Sequence, residues 1–136
     1  MTDTAPLTKK YAERVPAVTI LADTTSAIVE APFAGVVTGV SYTAVADVTG
    51  AASPSSRTLT LVNKGQDGTG TTVVATLALL GSVNLTANDE KDLTLSVVAH
   101  ATEVAAGDIL AWVSTHVGGT GLVDPGGLAQ VEITRS

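Results

Sequence analysis

Residues 57–64 read RTLTLVNK, with Leu59 and Leu61 on one side of a period-two repeat and Thr58 and Thr60 on the other. Only an extended chain sends successive side chains to opposite faces, so this run predicts a half-buried β-strand. The same pattern recurs in short pieces along the chain. Val and Thr dominate these pieces, and their branched Cβ is stiff in a way that suits a pleated strand better than a helix. The runs are 18–21 (VTIL), 26–31 closed by Pro32, 35–45, 57–64, 72–80, 93–97, 109–114 and 128–134. Turn-forming stretches separate them: GAASPSS at 50–56, GQDGTGT at 65–71, AAGD at 105–108 and GGTGLVDPGG at 118–127. Gly39 inside the long third run predicts a bulge or a close backbone approach. Residues 72–80 read as a more fully buried strand. Leu93, Leu95 and Val97 read as inward-facing, and NLTANDEKD at 84–92 has room for one short helical turn. About eight strands with no convincing helix predict an all-β chain, an antiparallel β-sandwich or jelly-roll-like barrel with an extended N-terminal arm.

The core of such a sandwich has to be built from small aliphatic side chains. Apolar residues make up 45% of the 136, yet aromatics are only 3%: Tyr11, Phe33, Tyr42 and Trp112. Aromatic side chains bury the most area per residue. A Val/Ala/Leu core therefore predicts a protomer of modest stability that gains from contact with other chains. Trp112, alone of its kind, is expected in the core. Residues 1–16 are polar, are bracketed by Pro6 and Pro16 and follow no period, which marks an arm that is disordered or ordered by a partner. The expected division is an arm at 1–16 and a sandwich domain at 17–136. Charge divides at the same place. The arm carries Lys9, Lys10 and Arg14 against Asp3 and Glu13, a balance of +1, whereas the remainder carries four basic residues against eleven acidic ones, a balance of -7. An acidic body repels nucleic acid, so no nucleic-acid partner is expected. The longest apolar run, 73–80, is interrupted by Thr76 and falls well short of the roughly 20 residues a spanning helix needs, so no membrane partner is expected. With no apolar leader in view, the chain reads as soluble and synthesised in the cytoplasm.

Chemistry-bearing constellations are sparse. Cysteine is absent, which removes disulfides, thiolate metal sites and thiol nucleophiles. His100 and His116 fall at strand ends before loops and read as solvated. Ser114 lies two residues from His116, but that spacing alone makes no catalytic triad. The Asp89, Glu90 and Asp92 cluster and Asp67 in GQDGTGTT do not follow calcium-loop spacing, and GQDGTGT lacks the lysine and following helix of a phosphate loop. The expectation is a protein without enzymatic activity, metal or cofactor.

Two short pieces resemble biotinyl and lipoyl carrier domains: VEAPFAGVV at 29–37 and VAAGDIL at 104–110. That family presents a modifiable lysine in a Met-Lys-Met or Asp-Lys-Ala hairpin. Here Lys64 and Lys91 stand in other contexts, so the carrier function is a remote alternative. A broader resemblance runs through APFAGVVTGVSYTAV (31–45), SRTLTLVNKGQDGTGTTVVAT (56–76), AAGDILAWVST (105–115) and GLVDPGGLAQVEI (121–133), with RTLTLVNKG at 57–65 the most specific piece. These stretches are similar to small virion proteins of tailed phages, especially those of actinobacteria. The resemblance implies a capsid decoration, or cement, protein on the capsid exterior. It would bind the major capsid protein shell as a homotrimer and stabilise it. Lys9, Lys10, Tyr11 and Arg14 in the basic-tipped arm are the expected capsid-contact residues. The alternative within the virion is a head-fibre, tail or adsorption module that binds host-surface glycan.

Overall fold

A computed structural model describes residues 7–50, 56–118 and 122–136. Ten strands follow one another: β1 (Thr8–Val15), β2 (Thr24–Glu30), β3 (Gly35–Ala44), β4 (Ser56–Asn63), β5 (Thr72–Ala78), β6 (Glu90–Asp92), β7 (Thr94–Leu95), β8 (Glu103–Val104), β9 (Ile109–Val117) and β10 (Gly127–Arg135). No helix occurs among the described residues. The strands make two antiparallel sheets. One runs β1-β10-β3-β6 with β8 also on β3, and the other runs β2-β9-β4-β5-β7. The protein is thus an all-β antiparallel sandwich, as the alternation predicts.

Alternation sets the inner faces. On β4, Arg57, Leu59 and Leu61 are buried while Thr58 and Thr60 are only partly so. On β10, Ala129, Val131 and Ile133 face inward between outward Leu128, Gln130, Glu132 and Thr134. One cluster of buried aliphatic residues joins the sheets, with Trp112 of β9 against Tyr42 of β3 at a ring separation of 5.3 Å. The expected bulge in β3 is present: Gly39 pairs with Glu132 and Val37 with Ile133, which leaves Thr38 as the extra residue. A second bulge faces Leu61 and Val62, where Val74 of β5 is extra.

Several expectations are corrected. Residues 8–15 are not an arm: they form β1, paired along its length with β10 from Thr8↔Thr134 to Val15↔Gly127. The segment shows no apolar period because it is a sheet edge, where only Val15 is buried and Tyr11 half-buried. Residues 1–6 of the expected arm lie outside the described residues, as do 51–55 and 119–121 of two expected loops. Residues 18–21 form no strand. The chain crosses there from one sheet to the other, with a β-bridge between Val18 and Asp124. Residues 84–92 hold no helical turn. Leu85 bridges to Val48, residues 86–89 make a single turn closed by the Asp89 amide on the Thr86 carbonyl, and residues 90–92 pair with β3, which leaves Leu85 and Leu93 both buried. Val97 points outward at 98% exposure, since β7 ends two residues earlier and a turn begins. β5 is also less buried than expected: Val74 and Ala75 are enclosed, but Val73 is 42% exposed.

Leu61→Ala should therefore cost about 2–5 kcal/mol in a denaturant titration, because it leaves a cavity between the sheets. Val97→Ala should stay within about 0.5 kcal/mol of the unaltered chain.

Candidate functional site

At the end of the sandwich where β1 runs out and β4 begins, a charged side chain is buried completely. Arg57 stands at the inward position of the same alternation that buries Leu59 and Leu61, and it is 0% exposed. Its donors are spent on loop backbone. Nε donates to the Leu122 carbonyl at 2.6 Å, and Nη2 reaches the carbonyls of Thr19 at 2.9 Å, Ile20 at 3.2 Å and Ala22 at 3.1 Å. Nη1 donates to Ser114 Oγ at 3.0 Å, and Ser114 Oγ donates in turn to Asp124 Oδ2 at 2.7 Å. Asp124 Oδ1 accepts from Tyr42 Oη at 2.6 Å and from the Gly126 amide at 3.0 Å. Cation and carboxylate are therefore coupled through the Ser114 hydroxyl. Burial lowers the Arg57 pKa and the nearby Asp124 charge opposes it; a guanidinium stays protonated under such a shift. Burial first, and then the hydrogen bond to Asp124, push the Tyr42 phenol well above its usual range.

This network fixes two loops and what they carry. Residues 16–23 and 122–126 lie side by side, and their outer surface shows Ile20 at 42%, Leu21 at 58% and Val123 at 49% exposure. The carbonyls of Thr19, Ile20 and Ala22 point inward to Arg57, so the apolar side chains are displayed on a backbone already tied down. Asp23 closes the loop. Its Oδ1 accepts from the His116 amide at 2.9 Å and lies 2.6 Å from His116 Nδ1. The amide bond, followed by the imidazole bond, holds the Asp23 carboxyl below the usual carboxylate range.

The four residues expected to make capsid contacts are divided by the strand they sit on. In β1, Lys10 and Arg14 lie opposite the outward Glu132 and Leu128 of β10, while Lys9 and Tyr11 lie opposite the inward Ile133 and Val131. Lys10 Nζ stands 3.8 Å from Glu132 Oε2, an exposed pair that contributes little to stability. Lys10 borders a depression of about 160 Å³ in the outer face, floored at Gly39 and edged by Ser41, Glu90, Asp92 and Gln130. Arg14 borders a separate hollow beside Pro16, Val45 and Pro125. Tyr11 packs on the core cluster, and Lys9 lines neither hollow.

Other singled-out residues have local roles. His100 Nδ1 lies 2.9 Å from Glu103 in an exposed turn. The Ser114 hydroxyl donates to Asp124, and the His116 ring is turned to Asp23. Asp67 Oδ1 accepts from the hydroxyl and amide of Thr69, which hold its carboxyl below the usual range. Among the described residues no three His, Asp or Glu side chains converge to hold a metal ion. The two carrier-like turns do meet, through the Gly107 amide on the Ala31 carbonyl and the Ala31 amide on the Asp108 carbonyl, both at 2.8 Å. Lys91 lies in β6, and Lys64 follows β4, its amide bonded to the Ile109 carbonyl at 2.8 Å.

Sequence reasoning missed Arg57 and Asp124, although both fall inside stretches it singled out. The available signal was an arginine at an inward position of a cleanly alternating strand, where a charge needs buried partners. Comparison with protein-family models, with curated proteins and with solved structures finds no match for this chain.

Asp124→Ala should destabilise the fold by about 3–5 kcal/mol, because it leaves the buried guanidinium uncompensated. Combined with Arg57→Met it should cost less than the sum of the two single changes, which a double-mutant cycle in denaturant will measure. Asp23 sets a pH dependence. Its folded pKa is depressed, so its contribution is complete above the unfolded value of about 3.9 and is lost as pH falls through the folded value. The Tm difference between the unaltered chain and Asp23→Asn should shrink as pH falls below about 4.

Proposed function

We propose that this protein is a capsid decoration protein of a tailed phage, binding the outside of the major capsid protein shell as a homotrimer and stabilising it. The resemblance at residues 31–45, 56–76, 105–115 and 121–133 supports the virion assignment. The structural observation that carries the docking role is the pinned loop pair. Ile20, Leu21 and Val123 are exposed together on backbone held by the buried Arg57. A partner that covers these side chains gains apolar burial without having to order the loop first, and such preorganisation favours affinity. The Lys10 and Arg14 side of β1 adds basic groups to an otherwise acidic body, in position to meet acidic residues of a shell subunit.

A second reading, a head-fibre, tail or adsorption module for host-surface glycan, is favoured by one observation. The depression floored at Gly39 gathers Ser41, Glu90, Asp92 and Gln130, groups suited to hydrogen-bonding a sugar. Copy number per particle separates the two: a count that follows the shell subunits supports decoration, and a count that follows the tail or fibres supports adsorption.

The docking role is tested on purified shells with the double variant Ile20→Asp/Leu21→Asp. Both side chains are already exposed, so circular dichroism should show an intact fold while occupancy on the shell drops at least about tenfold, the equivalent of 1.4 kcal/mol. Full occupancy by this variant would remove the loop pair from the interface.

A further inference from the structure

The far edge of β1 has no strand on it among the described residues. The Arg135 amide donates to the Leu7 carbonyl at 2.8 Å, which sets the hydrogen-bonding phase of the pairing. In an antiparallel ladder the residues that bond to one neighbour alternate with those that bond to the other side. Leu7, Lys9, Tyr11 and Glu13 thus turn their backbone groups to β10, and Thr8, Lys10, Ala12 and Arg14 turn theirs outward. Those four outward residues are arranged symmetrically about Tyr11.

We propose that β1 is a self-complementary edge: two copies of this chain join by pairing β1 with β1 antiparallel across a two-fold axis at Tyr11, which makes one continuous sheet from two. In this register Thr8 faces Arg14 of the second copy and Lys10 faces its Ala12, so every outward amide and carbonyl of β1 has a partner. The residues between them form the closer, non-hydrogen-bonded pairs. There Tyr11 faces its own counterpart, and Lys9 faces Glu13 on both sides of the axis, an opposite-charge pairing that stabilises a ladder.

The neighbouring registers fail on charge. Outward residues must pair with outward residues, so the axis can move only by whole residues along the strand. Centred on Lys9 or Lys10, the pairing sets like ammonium groups against each other. Centred on Ala12 it sets Lys10 against Arg14, and centred on Glu13 it sets two carboxylates together. Like charges directly opposite destabilise a sheet. Charged edges commonly serve to keep strands apart. Here the order Lys9, Tyr11, Glu13 instead selects one register and one partner, a second copy of the same strand. The contact does not depend on the decoration reading and needs no shell to test.

The test is sedimentation of the purified full chain over a concentration series, with circular dichroism as the check on folding. The unaltered protein should show concentration-dependent association through a two-fold contact. Ala12→Pro removes an outward amide and leaves the β10 ladder whole, and a proline is tolerated on a strand edge at such a position; it should abolish the contact and keep the sheet. Lys9→Glu and Glu13→Lys should each weaken association about tenfold, and the exchange Lys9→Glu/Glu13→Lys should restore it. A chain that stays monomeric up to about 1 mM, an oligomer indifferent to Ala12→Pro, or an exchange variant as weak as its parents would each overturn the proposal. The charge exchange decides the matter even if the proline variant fails to fold.

Discussion

The buried guanidinium of Arg57 is the interaction on which the loop end of this sandwich depends. A cation taken out of water is tolerated only when its donors are met and a counter-charge is near. Arg57 meets both conditions by drawing on segments that are distant in sequence: carbonyls of residues 19, 20, 22 and 122, the Ser114 hydroxyl and, through it, Asp124. Satisfying one side chain therefore fixes the crossing from the first sheet to the second and the approach to the last strand. Tyr42 carries the same constraint into the core, since its hydroxyl donates to Asp124 while its ring packs on Trp112. In a core so poor in aromatic side chains, one of its two largest rings is thus bonded into the polar network and the other packs against it between the sheets.

The two surfaces of interest follow from that anchoring. β1 enters the fixed crossing at Val15, which is buried, so the strand is held at that end as well as along β10. The exposed Ile20, Leu21 and Val123 lie just past it on backbone whose carbonyls are committed inward. One surface is apolar and preorganised, the other a row of backbone groups that no strand pairs among the described residues, with an ordered charge pattern. They differ in physical kind. The loop pair suits a partner that gains from covering hydrocarbon, whereas the edge suits a strand of one particular register. The shell is the proposed partner of the first and a second copy of the chain that of the second; a two-fold β1 contact closes on a pair, so it is distinct from the contact that closes the trimer of the decoration reading.

Much of the sandwich was legible in the chain itself. The alternation around Leu59 and Leu61, the bulge at Gly39, the turn at residues 105–108 and the burial of Trp112 all follow from local pattern. The errors share a cause. The alternation of Leu93, Leu95 and Val97 and the β-branched run at residues 18–21 both point to strand, but where a strand stops depends on the length of its partner, and β7 has only a two-residue ladder on β5. The polar stretch 84–92 has room for one short helical turn, but it is spent instead on a bridge at Leu85, a turn at residues 86–89 and a short strand on β3. Of the expected contact residues, Lys10 and Arg14 do share an outward face of β1, whereas Tyr11 belongs to the core margin.

By itself, the sequence determined an all-β chain, the phase of the strand at residues 57–64 and a Val/Leu/Ala interior, because a period of two is a local property of an extended backbone. Only the tertiary structure decided that residues 8–15 are a sheet edge and that Arg57 is an interior residue. Edge strands bury too few side chains to show a period. A buried charge looks like a surface one until the groups that compensate it, here far along the chain at Ser114, Leu122 and Asp124, are brought around it.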